Sequence, residues 1–367
     1  MPLTYKETGV DYDAMDPFKR MCQMAAVKTA DNIRHFGISE ITASRGESAF
    51  LLQGDNFILA HVEEGLGTKN LVADDTRKIT GKTYYDQIAQ CTVAMIVNDM
   101  ITVGALPISI AMHLAVGDSE WLKDEQRNQD LVAGWQHACD LSGAVWAGGE
   151  TPTLKGIIIP GTAELNGSAI GIVRSKNHLI NPANIEAGDA IVFLASSGIH
   201  ANGLTLARQI AAKHPKGYAA TLSDGSTYGE ALLAPTLIYT KVIARCQLRG
   251  VPIHYAINIT GHGWRKLMRA PQTFSYVINR IPEPQPVFRF IQEHGPVDDR
   301  EAFGNLNMGA GFALIVPQKW AQIVIDLALL CGINAWFGGN ACESRDGRKK
   351  VIISKNLEFA EEELSVR

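Results

Sequence analysis

Residues 190–203 read Ala190-Ile191-Val192-Phe193-Leu194-Ala195-Ser196-Ser197-Gly198-Ile199-His200-Ala201-Asn202-Gly203. The first six are apolar and include β-branched and aromatic side chains, which predicts a buried strand. Small and polar residues then break it, and a helical pattern starts after Gly203. Strand, small-residue loop and helix form an anion-site arrangement, because a helix start offers free N–H groups. Ser196, Ser197, Gly198, Asn202 and Gly203 therefore suit a phosphate group. The plainer alternative is a well-capped helix start without a ligand. His200 stands inside this loop, and a lone histidine is more often structural than catalytic.

Upstream, residues 174–188 are polar, with turns at Asn181-Pro182 and Ala187-Gly188-Asp189, and they divide the chain into domains 1–173 and 174–367. Residues 13–36 mix apolar and basic positions at helical spacing, with Met15, Phe18, Cys22 and Ala25 on one face. Residues 48–52 and 56–62 predict two strands joined at Gly54-Asp55. Helical patterns cover 85–103 and 120–142, closed by Gly104 and Gly143, and strands are expected at 108–114, 145–147 and 161–173.

Three further loops or turns carry candidate chemistry. Glu63-Glu64-Gly65-Leu66-Gly67-Thr68-Lys69 follows a strand. Its glycines let backbone approach phosphate oxygens and Lys69 can neutralise charge, yet it also reads as a tight turn with a surface lysine. Asn98-Asp99 ends an apolar helical run, where a carboxylate needs a partner or a metal, unless it lies on a solvated edge. Gly148-Gly149-Glu150-Thr151 follows a short strand and suits either a ligand-facing loop or a capped turn.

Downstream, helices are expected after 203, over 228–247, 284–294 and 318–331, and strands near 255–259 and 312–316. Between them lie Thr260-Gly261-His262-Gly263 and Asn307-Met308-Gly309-Ala310-Gly311. The tail from 357 is acidic and expected to fray.

The whole chain has 367 residues, which at roughly 100–200 per domain agrees with two domains. Hydrophobic residues make up 46%, a globular composition with material for two cores. Net charge is −4, which argues against a chain-wide basic field and a nucleic-acid partner. No secretory pattern opens the chain and no run of about 18 apolar residues occurs, so no membrane partner is expected. The six cysteines include no CxxC pair, which points to buried, reduced thiols and a cytoplasmic location. The histidines show neither HxH nor HExxH spacing, which argues against a zinc enzyme.

Taken in order, the motifs resemble the aminoimidazole ribonucleotide (AIR) synthetase family, the phosphoribosylformylglycinamidine cyclo-ligases. Tyr5-Lys6-Glu7-Thr8-Gly9-Val10-Asp11 is similar to the family's YK-x-x-G-VD start, and Glu64-Gly65-Leu66-Gly67-Thr68-Lys69 to its DGVGTK loop. Val93-Ala94-Met95-Ile96-Val97-Asn98-Asp99 looks like VAMCVND, and residues 148–151 match GGET. Residues 196–203 match SSGxHSNG with Ala201 for Ser. Ala234-Pro235-Thr236 with Tyr239 matches LLAPTxIY, residues 260–263 resemble TGGG, and 307–311 resemble NxGxG.

The resemblance implies an α/β N-terminal domain whose mixed sheet pairs across a homodimer, and an α+β sandwich C-terminal domain. It implies ATP-dependent ring closure of formylglycinamidine ribonucleotide in purine biosynthesis. ATP phosphorylates the formyl oxygen, an internal nitrogen attacks the activated carbon, and phosphate leaves. Gly65, Gly67, Thr68, Lys69, Asn98, Gly148, Gly149 and Thr151 would bind ATP, and Glu64, Asp99 and Glu150 would hold Mg²⁺. Ser196, Ser197, Gly198, Asn202, Gly203, Thr260 and Gly261 would bind the nucleotide substrate, with Lys28 and His200 in catalysis. The chain departs from the family pattern at Glu64 for Asp, at Cys91 for Asp, at His262 for Gly and at Lys155, where the family is acidic. Asp86 is a candidate substitute for the carboxylate lost at 91. Two alternatives stand beside the cyclo-ligase reading. One is another ATP-using relative, kinase-like or selenophosphate-forming. The other is a non-catalytic ligand-binding or regulatory homologue.

Overall fold

A computed structural model describes residues 12–354 and 356–364. The motif at residues 5–11 lies outside the described residues. The N-terminal part forms a six-stranded mixed sheet from β1 (Ser39–Glu40), β2 (Phe50–Gln53), β3 (Ile58–Gly65), β4 (Leu106–Val116), β5 (Val145–Glu150) and β6 (Ala163–Val173). Its order is β1-β2-β3-β6-β4-β5, with only β4 and β5 parallel. Helices α1 (Tyr12–Val27), α2 (Lys69–Thr80), α3 (Tyr85–Met100) and α4 (Glu125–Ser142) belong to this half.

Helix α3 is apolar nearly all round, and 13 of its 16 residues are buried. Such a helix must be covered on more than one side. The first sheet and α4 cover part of it, and the second domain covers the rest.

The second sheet contains β7 (Ala190–Ala195), β8 (Tyr255–Asn258), β9 (Phe274–Ile278), β10 (Ala310–Val316), β11 (Ala335–Glu343), β12 (Lys350–Ile353) and β13 (Leu357–Ala360). Its order is β13-β12-β9-β11-β7-β10-β8, antiparallel except for the β12–β9 pair. Strand alternation feeds two cores. Ile191 and Phe193 join the larger core that includes Trp264 and Phe303, whereas Val192 and Leu194 join a second one with Tyr239, Val242 and Val324. The helices here are α5 (Leu204–Lys213), α6 (Tyr228–Leu233), α7 (Thr240–Arg249), α8 (Pro286–His294), α9 (Asp299–Asn305) and α10 (Ala321–Leu329).

Four expectations change. The helix expected over 228–247 is two helices, interrupted where Pro235 has no N–H to donate. The tail from 357 does not fray at once: β13 pairs with β12. The apolar stripe of α1 is left open among the described residues, with Met15, Phe18 and Cys22 exposed. Cysteines are thus not uniformly buried: Cys91, Cys139 and Cys246 are, while Cys331 and Cys342 are half-buried. No helix among the described residues is long and apolar enough to cross a membrane.

Candidate functional site

The two domains meet along α3. Asn98 donates Nδ2 to Leu237 O (2.8 Å) and accepts from Tyr239 N (3.0 Å). Gln90 donates to Thr236 O (3.0 Å), and Cys91 Sγ accepts from Thr236 N (3.3 Å). One face of α3 thereby fixes the backbone of residues 236–239 from the other domain. Lys69 completes the seam. Its fully buried ammonium donates to His200 O and Ala234 O, each at 2.8 Å.

A cleft of about 410 Å³ opens at the end of this seam. From the first domain come Glu64 at the end of β3, and Met95 and Asp99, one turn apart on α3. Next to Glu64, a Cβ on Gly65 would stand 2.4 Å from Asn166 Oδ1 on the paired strand β6, so a larger residue there would have to displace the Asn166 side chain. From the second domain come Asn202, Thr260, Gly261, His262, Lys266 and Arg269. Lys19 of α1 and Glu47 close the rim.

Asp99 accepts from Asn258 Nδ2 at 2.7 Å. Lys266 donates Nζ to Asn258 O (3.0 Å) and to Thr260 Oγ1. Burial, with the adjacent Asp99 charge, pushes the Glu64 carboxyl up to about 8, against an opposing pull from Lys266. Burial, with Arg269 nearby, brings the Lys266 ammonium down to about 8. Burial and the same cationic neighbours push His262 down to about 3, so its ring is neutral at pH 7. The cleft lining thus holds three acidic side chains, Glu47, Glu64 and Asp99, and three basic ones, Lys19, Lys266 and Arg269, with Glu64 mostly protonated at pH 7. Arg269 Nε is buried and has no hydrogen-bond partner among the described residues.

The remaining expected site residues lie elsewhere or are already engaged. Loop 196–203 is braced from within. Ser196 Oγ donates to Asn307 Oδ1 (2.9 Å), Ser197 Oγ to Pro235 O (2.6 Å), and Asn307 Nδ2 to Gly198 O (2.9 Å). Gly203 caps α5 at φ 88°. His200 has φ 61° and accepts from Ser197 N through Nε2 (3.3 Å). Burial pushes His200 down to about 3, a neutral imidazole away from the cleft lining. Asn202 is the residue of this loop that lines the cleft. Gly148, Gly149 and Glu150 form the exposed end of edge strand β5, with Glu150 opposite His113, and Thr151 follows, exposed. Gly67 is exposed, and Thr68 stands at the α2 N-cap without a side-chain bond. Lys28 is exposed in the turn after α1 and is not among the residues lining the cleft. Asp86 is exposed at the start of α3, beside a different cavity.

Two family descriptions match the chain: AIR synthase related protein, N-terminal domain, over residues 47–173, and AIR synthase related protein, C-terminal domain, over residues 186–352. The chain belongs to the AIR synthase related family. Among its relatives is a phosphoribosylformylglycinamidine cyclo-ligase from Methanocaldococcus jannaschii, 34% identical over 356 residues, 96% of each chain. Another cyclo-ligase, from Carboxydothermus hydrogenoformans, is 34% identical over 96% of this chain and 99% of its own. Among solved structures, HypE from a HypE–HypF complex superposes with a TM-score of 0.58 at 16% identity, covering 86% of this chain and 93% of its own. A ThiL structure complexed with AMPPCP and TMP gives 0.56 at 12% identity, covering 84% and 87%. Likeness at these identities shows a shared fold.

As an AIR synthase related protein, the chain builds its cleft from both matched regions, with Glu64 and Asp99 in one and Asn202, Thr260 and Lys266 in the other. Lys266, Arg269, Lys19 and Asn258 had no motif to announce them. The available signal was the basic cluster Arg265-Lys266 and Arg269, directly after Thr260-Gly261-His262-Gly263.

A protein-held Mg²⁺ is not what these residues fit. Glu150 is not among the residues lining the cleft with Glu64 and Asp99, and Cys91 is buried in the seam. Among the described residues no group of three or more His, Cys, Asp or Glu is placed to hold a metal ion.

Proposed function

We propose that the chain is an ATP-dependent cyclo-ligase that closes the imidazole ring of a formylglycinamidine ribonucleotide. The observation that carries this reading is the end-to-end likeness, 34% identity over 96% of the chain, to phosphoribosylformylglycinamidine cyclo-ligases. Phosphoryl transfer from ATP to the formyl oxygen makes that oxygen a leaving group. Attack by the substrate's amidine-side nitrogen forms the ring C–N bond, and the C–O bond breaks to release phosphate. Lys266, Arg269 and Lys19 supply positive charge where phosphate oxygens develop negative charge. His200, buried and neutral, braces the loop.

The same reading places the protein in the cytoplasm as a homodimer. Two apolar surfaces support pairing of two copies. One is the stripe Met15, Phe18, Met21 and Met24 on α1. The other is a groove of about 440 Å³ on the first sheet, lined by Phe50, Leu52, Leu59 and Ile170. Light scattering at micromolar concentration should give twice the mass of the 39.9 kDa chain.

Purified protein, incubated with formylglycinamidine ribonucleotide, ATP and magnesium chloride, should form AIR and ADP in equal amounts. Absence of both at saturating concentrations refutes the cyclo-ligase reading. A second reading, a ligand-binding homologue without turnover, is favoured by Lys266, a cation that lines the same cleft as Glu64 and Asp99. Calorimetry separates the two: the binding homologue takes up the ribonucleotide without consuming ATP.

A further inference from the structure

Lys266 is 5% exposed, and its position is set by three connected groups. Its Nζ donates to Asn258 O at 3.0 Å and to Thr260 Oγ1. Asn258 donates its own Nδ2 to Asp99 Oδ1 at 2.7 Å. Lys266 and Asp99 thus both hold Asn258, the lysine through its main-chain carbonyl and the carboxylate through its side-chain amide, and Glu64 lines the same cleft. Lys266 comes from the short turn Gly263–Arg269 and Asp99 from α3, so the link crosses the domain seam.

Mg²⁺ bound by protein favours near-octahedral oxygen donors and retained waters. Here, among the described residues, no third His, Cys, Asp or Glu joins Glu64 and Asp99 in a group placed to hold a metal ion, and the buried Lys266 already supplies positive charge. Arg269 adds a second cation to the same lining. A divalent ion at the pair would be repelled at short range in a poorly solvated setting.

We propose that Lys266 is a built-in cation that takes the place of a protein-held divalent metal at the Glu64–Asp99 pair. The free protein then has no Mg²⁺ site there, whatever reaction the cleft performs. A metal that arrives on nucleotide phosphates is a separate matter. The inference concerns the resting protein and does not depend on the cyclo-ligase reading.

Mn²⁺ is the probe, followed by the loss of its free electron paramagnetic signal on titration into the full chain without nucleotide. Wild type should leave the signal intact up to about millimolar Mn²⁺. Lys266→Gln keeps a polar side chain and removes the charge, and should gain one Mn²⁺ per chain with affinity at least about tenfold tighter. Adding Asp99→Asn to that variant should abolish the gained site. Lys266→Arg should behave as wild type. A folded Lys266→Gln protein that gains no site overturns the proposal. So does a wild-type protein that binds one Mn²⁺ and loses it on Asp99→Asn, a comparison that needs no Lys266 variant to fold. Neither outcome bears on whether AIR is formed.

Discussion

Lys69 offers a sharp test, because sequence and structure assign it different work. The motif suggests a phosphate ligand, whereas its buried ammonium donates to His200 O and Ala234 O at 2.8 Å each. Lys69→Met keeps the stem and removes both donors. Each orphaned buried carbonyl costs about 1–3 kcal/mol, so the two together cost about 2–6 kcal/mol. Relief of the desolvated ammonium offsets part of this, which places the expected loss near 2–4 kcal/mol. Urea unfolding at pH 7 reads the change directly. Because the two carbonyls belong to the other domain, the variant should also uncouple the domains and broaden or split the transition. A stability within about 0.5 kcal/mol of wild type, combined with tenfold weaker binding of an ATP analogue, would refute this reasoning and return Lys69 to the phosphates.

Three further outcomes follow from the cleft and its seam. Glu64 titrates near 8 in the folded chain against 4.5 unperturbed, so between those values the folded state holds a proton that the unfolded chain has released. Stability should therefore fall as pH rises from about 4.5 to 8, by at most about 1.4 kcal/mol per pH unit, and Glu64→Gln should flatten that slope in urea titrations. Cys91→Asp should not restore a metal ligand. The side chain is fully buried in the seam, so a carboxyl there should cost at least about 2 kcal/mol and leave turnover no higher, as read by unfolding and ADP release. Arg269→Met removes a cation from the cleft whose Nε has no partner among the described residues, and should raise KM for the phosphorylated substrate about tenfold or more, with little change in unfolding midpoint.

Much of the architecture was legible because it rests on local pattern. The apolar run 190–195 predicts a strand and the pattern over 85–103 a helix, and the structure has β7 at Ala190–Ala195 and α3 at Tyr85–Met100, followed by a 3-10 turn at Ile101–Val103. The break at 234–235 was also written in the sequence, as Ala234-Pro235, but the periodicity on either side masked it. The site was less legible because motif loops do not reveal which way their side chains are spent. Asn98 and Lys69 sit in the loops and helix that the resemblance marks, yet both bind backbone of the opposite domain. Ser196 and Ser197 have hydroxyls suited to phosphate, and both donate to protein oxygens. Conversely Lys266 and Asn258 belong to no motif. Their roles exist because β8 and the turn after it are carried against α3, a long-range packing event that local spacing does not encode.

The most direct measurement follows the oxygen. Formylglycinamidine ribonucleotide labelled with ¹⁸O in the formyl group, incubated with the protein, ATP and magnesium chloride, should yield AIR together with inorganic phosphate that carries the label. Label that appears in water, or ATP consumption without AIR, would contradict phosphoryl activation of the formyl oxygen in this cleft.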